Sequence, residues 1–110
     1  MIKHTAVFRL KHPKGSADEA SFIAAAHELG SIVGVHDLDV LRQTSDKAPY
    51  TFCLTMNFAS QAAYDASMDH PEHVTFTRER RDSEVVAFMI LDYEPLGRSP
   101  IARPRPGSAR

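Results

Sequence analysis

The run His70-Pro71-Glu72-His73-Val74-Thr75-Phe76 holds two histidines around a proline and a glutamate, and a third histidine, His4, stands near the start of the chain. An imidazole in a partly enclosed pocket titrates near neutral pH, so it can take a proton and return it. Pro71 suits the first position of a helix, where its missing N–H costs nothing. His73 then falls in the first turn, held on a rigid element. Three chemistries fit these residues. In the first, His73 is a general base beside a small-molecule cavity and His4 orients it; this requires a cavity that reaches both. In the second, His4 is a satisfied core histidine and His73 only orients the helix entrance. In the third, His70, Glu72, His73 and His4 bind a metal, but two histidines and an acid are a weak signature beside spaced Cys/His clusters. No metal is therefore expected. The sequence has no glycine-rich phosphate loop, nucleophile elbow or dinucleotide fingerprint, so no cofactor is expected either.

The elements that must position these residues read in order. Ile2, His4, Ala6, Phe8 and Leu10 alternate with Lys3, Thr5, Val7 and Arg9, the period of a strand. Ser16 and Glu19 form a capping box opening a helix to about Leu29, with Phe22, Ile23, Ala26 and Leu29 as its apolar stripe and His27 beside it. Gly30 is placed to end it. A second strand spans Val35 to about Arg42. Gln43 to Pro49 is a turn-rich loop, and Tyr50 to Phe58 alternates large apolar with small semi-polar residues, the clearest strand of all. Ser60 caps a helix to about Met68, which Asp69-His70-Pro71 interrupts. A further helical segment runs from Pro71 to about Arg81, its basic residues Arg78, Arg80 and Arg81 forming a solvated end. Val85 to Tyr93 is almost continuously apolar, the pattern of a strand covered on both faces.

The order β-α-β-β-α-β predicts an α+β fold of the ferredoxin-like kind, a four-stranded antiparallel sheet with the helices on one face. The first, third and fourth strands carry apolar residues on both registers, among them Val7, Cys53, Met89 and Leu91. One chain supplies one cover, so the other face calls for a second copy, and a homodimer through the sheet face is expected.

At 110 residues, with 43% hydrophobic and 25% charged residues, the chain is one domain with room for a real core. Residues 95–110 carry four arginines and no acid. The other 94 hold nine Lys/Arg against fourteen Asp/Glu, a net of −5. Such a body lacks the basic face of a nucleic-acid groove. Residues 96–110, rich in proline and arginine without periodicity, are expected to be a disordered basic tail outside a 1–95 domain. Cys53 is the only cysteine, which excludes an intrachain disulfide and fits a reducing, cytoplasmic setting. It is expected to be structural. The start of the chain runs directly into a strand pattern, so no signal peptide is expected, and no apolar run is long enough to cross a membrane as a helix.

Three stretches together resemble the stress-responsive α/β-barrel (Dabb) family: Lys3-His4-x-x-Val7-Phe8-x-Leu10, His70-Pro71-x-His73-x-x-Phe76 and Leu91-Asp92-Tyr93-Glu94. The resemblance spans about residues 1–95 and implies a dimeric α/β barrel, two ferredoxin-like sheets packed face to face. One branch of that family comprises plant polyketide cyclases that perform an intramolecular aldol condensation. In them a histidine at the position of His73 is the general base, a tyrosine assists it, and a histidine at the place of His4 lines the pocket. Here the tyrosine position falls on Ser67 and another pocket histidine falls on Phe52; Tyr64, one turn earlier, is the candidate substitute. Relatives by fold also include small monooxygenases and muconolactone-type isomerases. Two functions follow as expectations: a cofactor-independent cyclase/isomerase-like enzyme using His73 on a small aromatic or polyketide-like substrate, or a non-catalytic dimer serving stress tolerance or binding a small hydrophobic ligand.

Overall fold

Strand alternation builds the sheet, and its register decides which side chains can meet. In the computed structural model, which describes residues 1–97, the elements are β1 (Ile2–Leu10), α1 (Ala17–Glu28), β2 (His36–Arg42), β3 (Phe52–Phe58), α2 (Gln61–Met68), α3 (Pro71–Phe76) and β4 (Val85–Tyr93). From residue 98 onward, the stretch expected to be a disordered tail lies outside the described residues. The strands form one antiparallel sheet in the order β2-β3-β1-β4. This is the ferredoxin-like topology that the element order predicts.

β3 alternates without exception: Phe52, Leu54, Met56 and Phe58 are buried, while Cys53, Thr55 and Asn57 are half-buried on the other face. Phe8 stacks on Phe52 with ring centroids 5.4 Å apart, and Phe22 from α1 closes on Phe8 at 5.7 Å. Ala26, Leu29, Ile32 and Val35 complete the core between sheet and helices. The Ser16 hydroxyl accepts from the Glu19 N–H at 3.1 Å and Ser60 does the same for Ala63, so both predicted caps form. Glu19 departs from the reciprocal box. Its carboxylate instead bonds the Gly15 N–H and Arg42, tying the head of α1 to the end of β2.

Three departures from the sequence reading matter later. The helix expected to run on to Arg81 ends at Phe76 and continues as a π-type segment, Thr77–Arg81, then one short turn to Glu84. Its arginines are not merely a solvated end. Arg80 pairs with Glu84 and lies over the Phe22 ring at 5.9 Å, and Arg81 lies over Phe88 at 4.8 Å. A register shift against Arg9/Leu10 leaves Val86 unpaired, so Val85 turns inward to the core rather than sharing the face of Ala87. Finally, β4 is not covered on both sides by the described residues: Phe88 and Ile90 toward the helices, and Met89, Leu91 and Tyr93 on the opposite face, are all exposed.

Candidate active site

His4 is 6% exposed on the helix-facing side of the central strand β1, and the register sets it directly opposite Asp92 of β4. Its Nδ1 lies 2.6 Å from the Asp92 Oδ1. A carboxylate only accepts, so Nδ1 carries the proton and Nε2, on the other edge of the ring, is the free nitrogen. Tyr64 of α2 completes the group. Its hydroxyl donates to Asp92 Oδ2 at 2.8 Å and stands 3.1 Å from His4 Nδ1, and its ring meets that of His4 edge-on at 5.1 Å. Burial, then the bond to Asp92, pushes the Tyr64 hydroxyl up to about 12, so it stays a donor. The carboxylate thus fixes both the tautomer and the tilt of the imidazole.

The sequence singled out His70, Glu72 and His73 together; the structure separates them. His70 caps α3, its Nδ1 accepting from the Glu72 N–H at 3.1 Å, and the Glu72 side chain is exposed. His73 alone turns inward. It lines, with His4, one cavity of about 70 Å³ whose other walls are mainly Phe8, Phe22, Leu54, Met56 and Ile90. Burial lowers the His73 pKa, a hydrogen bond to the Met68 backbone opposes that, and positive charge on His4 or Arg81 lowers it further. The ring is therefore neutral and able to accept a proton at pH 7. Among the described residues, no group of three or more His, Cys, Asp or Glu converges as a metal site.

Ser67, at the position of the cyclase tyrosine, is 2% exposed, and its hydroxyl has no hydrogen-bond partner among the described residues. Phe52, at the other departure, is core. The hydroxyl beside His4 comes instead from Tyr64. In the sequence Asp92 shows only as part of a terminal motif, and the 88 residues between it and His4 hide the pairing. Cys53 lies on the other face of the sheet, its thiol pushed up by burial, with no sign of activation.

Fold and site together define a small α+β domain with a His–Asp–Tyr cluster built on a buried histidine, and a second histidine on the same apolar cavity. Over residues 2–95 the sequence matches the stress responsive A/B barrel domain family, and the chain belongs to that family. It is similar to a Dabb family protein with a ferredoxin-like fold from Mesorhizobium loti, at 47% identity and a TM-score of 0.85, covering 87% of this chain and 97% of that one. A dimeric ferredoxin-like protein of unknown function from Thermobifida fusca shares 18% identity with a TM-score of 0.69, over 86% and 90% of the two chains. The hydroxynitrile lyase of Passiflora edulis shares 18% identity with a TM-score of 0.74, over 84% and 90%. At that distance the last two show the fold alone. No curated protein matches the sequence.

Proposed function

We propose that the protein is an acid–base enzyme acting on a small, largely apolar molecule, with His73 as the general base and His4 as the group that holds the substrate's oxygen. The observation that carries this is the placement of both histidines on one apolar cavity, with His4 alone locked by a carboxylate. His73, kept neutral by burial, takes the proton from a carbon or hydroxyl of the substrate. Asp92 and Tyr64 fix the His4 ring, and in its imidazolium form, whose charge Asp92 balances, Nε2–H donates to the substrate oxygen on which charge develops. Positive charge on His4 opposes charge on His73, which helps keep His73 the proton acceptor of the pair. Both proton acceptor and polarising group come from the chain, which fits chemistry without a cofactor. A proton-transfer step of this kind serves a cyclase, an isomerase or a lyase, and a hydroxynitrile lyase stands among the structural neighbours. A cavity of about 70 Å³ is less than half the ~150 Å³ that admits benzene, so a polyketide-sized substrate would have to extend out through the mouth beside Phe88.

We further infer that the protein works as a homodimer in the cytoplasm. Val7, Met89, Leu91 and Tyr93 share the sheet face that no helix of the described residues covers, and a second copy is the partner whose own face matches it.

The experiment is deuterium exchange into enolisable aldehydes and ketones, from butanal to phenylacetaldehyde, followed by NMR, together with cleavage of a cyanohydrin. The native chain should exceed the buffer rate, and His73→Gln should lose about 10²–10⁴-fold. Buffer-rate exchange and no cleavage across the panel, with the same compounds binding in the cavity, would leave a hydrophobic-ligand-binding dimer and remove the enzyme.

A further inference from the structure

We propose that Arg81 is the anion-recognition residue of this cavity, so that its substrate is an apolar carboxylic acid: the carboxylate meets the guanidinium at the mouth and the hydrocarbon part reaches toward His73 and His4. This rests on the cavity being the substrate site, and it names the class of substrate.

Among the described residues lining the cavity, Arg81 alone carries a permanent charge. Its placement there is a product of the backbone. His73, Thr77 and Arg81 follow one another at four-residue steps, and all three line the cavity. In an α-helix each such step overshoots a full turn by about 40°, so a second step would carry residue 81 about 80° off the face of His73. The segment from Thr77 instead closes with the Asp82 N–H on the Thr77 carbonyl, an i→i+5 bond. That wider turn counter-rotates the second step and returns Arg81 to the histidine's face. π-type turns of this kind occur frequently at functional sites.

The three arginines of this segment are not equivalent. Arg80 is committed to Glu84 and Ser21. Arg78 is exposed and pairs with the neighbouring Glu79 at 3.6 Å. Among the described residues, Arg81 has only Asp82, the next residue, whose exposed carboxylate lies 3.3 Å away through a single oxygen. Such a contact between surface groups is weak. The guanidinium lies against Phe88, using its face, and the donors along its edge suit a two-point bond to a carboxylate. A carboxylate there would also offset the charge by which Arg81 lowers the basicity of His73. The base would strengthen as the acid seats.

The test is an NMR binding titration with butanoate, hexanoate and phenylacetate, each beside its primary amide, on the native chain, Arg81→Gln and Arg81→Lys. The amides match the acids in shape and lack the charge. Since the mouth is open to solvent, the native protein should prefer the acid by about tenfold, the lower end for a charged hydrogen bond. Arg81→Gln should bring acid and amide to equal affinity, and Arg81→Lys should keep part of the preference. An equal affinity in the native chain, a preference that survives Arg81→Gln, or no binding of any acid overturns the assignment. Exchange catalysis without the acid preference would remove this inference alone; the acid preference without exchange would uphold it and remove the proton-transfer reading.

Discussion

Asp92→Ala and Tyr64→Phe, made singly and together, probe the His4 cluster most directly. Asp92 accepts from two donors, His4 at 2.6 Å and Tyr64 at 2.8 Å. A hydrogen bond to a charged group contributes about 1.5–3 kcal/mol when buried. The Asp92 side chain is 39% exposed, so solvent screening discounts each of its two bonds below that range, to about 1 kcal/mol. The alanine variant should therefore lose about 2 kcal/mol in all, with His4 left as a buried ring short of a partner. Tyr64→Phe removes one hydroxyl and keeps the edge-on contacts with His4 and Phe58, costing about 1 kcal/mol. Both changes break the same Tyr64–Asp92 bond, so the double variant should lose about 2 kcal/mol rather than about 3, a coupling of about 1 kcal/mol. Urea unfolding at pH 7 and one fixed protomer concentration measures all four corners of the cycle. Additivity within about 0.3 kcal/mol would refute the shared carboxylate and, with it, the fixed His4 tautomer.

Burial lowers the His73 pKa, so its ring should titrate by NMR below the ordinary 6.5, and any exchange activity should be flat through neutral pH and fall as acid protonates it. A midpoint above 6.5 would contradict its burial. The Arg42 hydrogen bond, then the Gly15 N–H, hold the Glu19 carboxyl below its ordinary 4.5. Its contribution is therefore complete above pH 4.5 and lost as pH falls through the lower folded value; the acid limb of Tm against pH should be shallower in Glu19→Gln than in the native chain. Met89→Lys on the uncovered sheet face should give a monomeric mass by light scattering at micromolar concentration where the native chain gives a dimer, and a monomeric native chain would dismiss the dimer.

The fold was legible because its signals are local. Phe52 to Phe58 alternates visibly, Ser16 and Ser60 sit where caps must, and Pro71 breaks the second helical region at the residue observed. The site was half legible. His4 and His73 were identifiable as polar rings beside apolar runs, but the Asp92 that gives His4 its tautomer lies 88 residues away and becomes its neighbour only through the β1–β4 register. Tyr64 was one turn from the position compared with the cyclases; a side chain that long reaches the cluster from where a serine cannot. Arg81 was hidden for another reason. Read at 3.6 residues per turn, it belongs to a solvated helix end, and neither Thr77–Arg81 nor the unpaired Val86 carries a composition that announces a wider turn or a bulge.

The wide turn also gives this segment a reading frame. A helix with one residue more than its α-helical path needs can lose that residue without losing its ends. Deleting Arg78 would leave the Phe22–Phe76 contact upstream intact and rejoin the chain ahead of Val85. Arg81 would then stand seven residues after His73, two α-helical turns to within about 20°, and so keep the histidine's face. The wide turn thus absorbs one residue without putting the packing side and the cavity side of the segment out of phase, so a one-residue deletion there would keep the faces that the same deletion elsewhere in a helix would turn by about 100°.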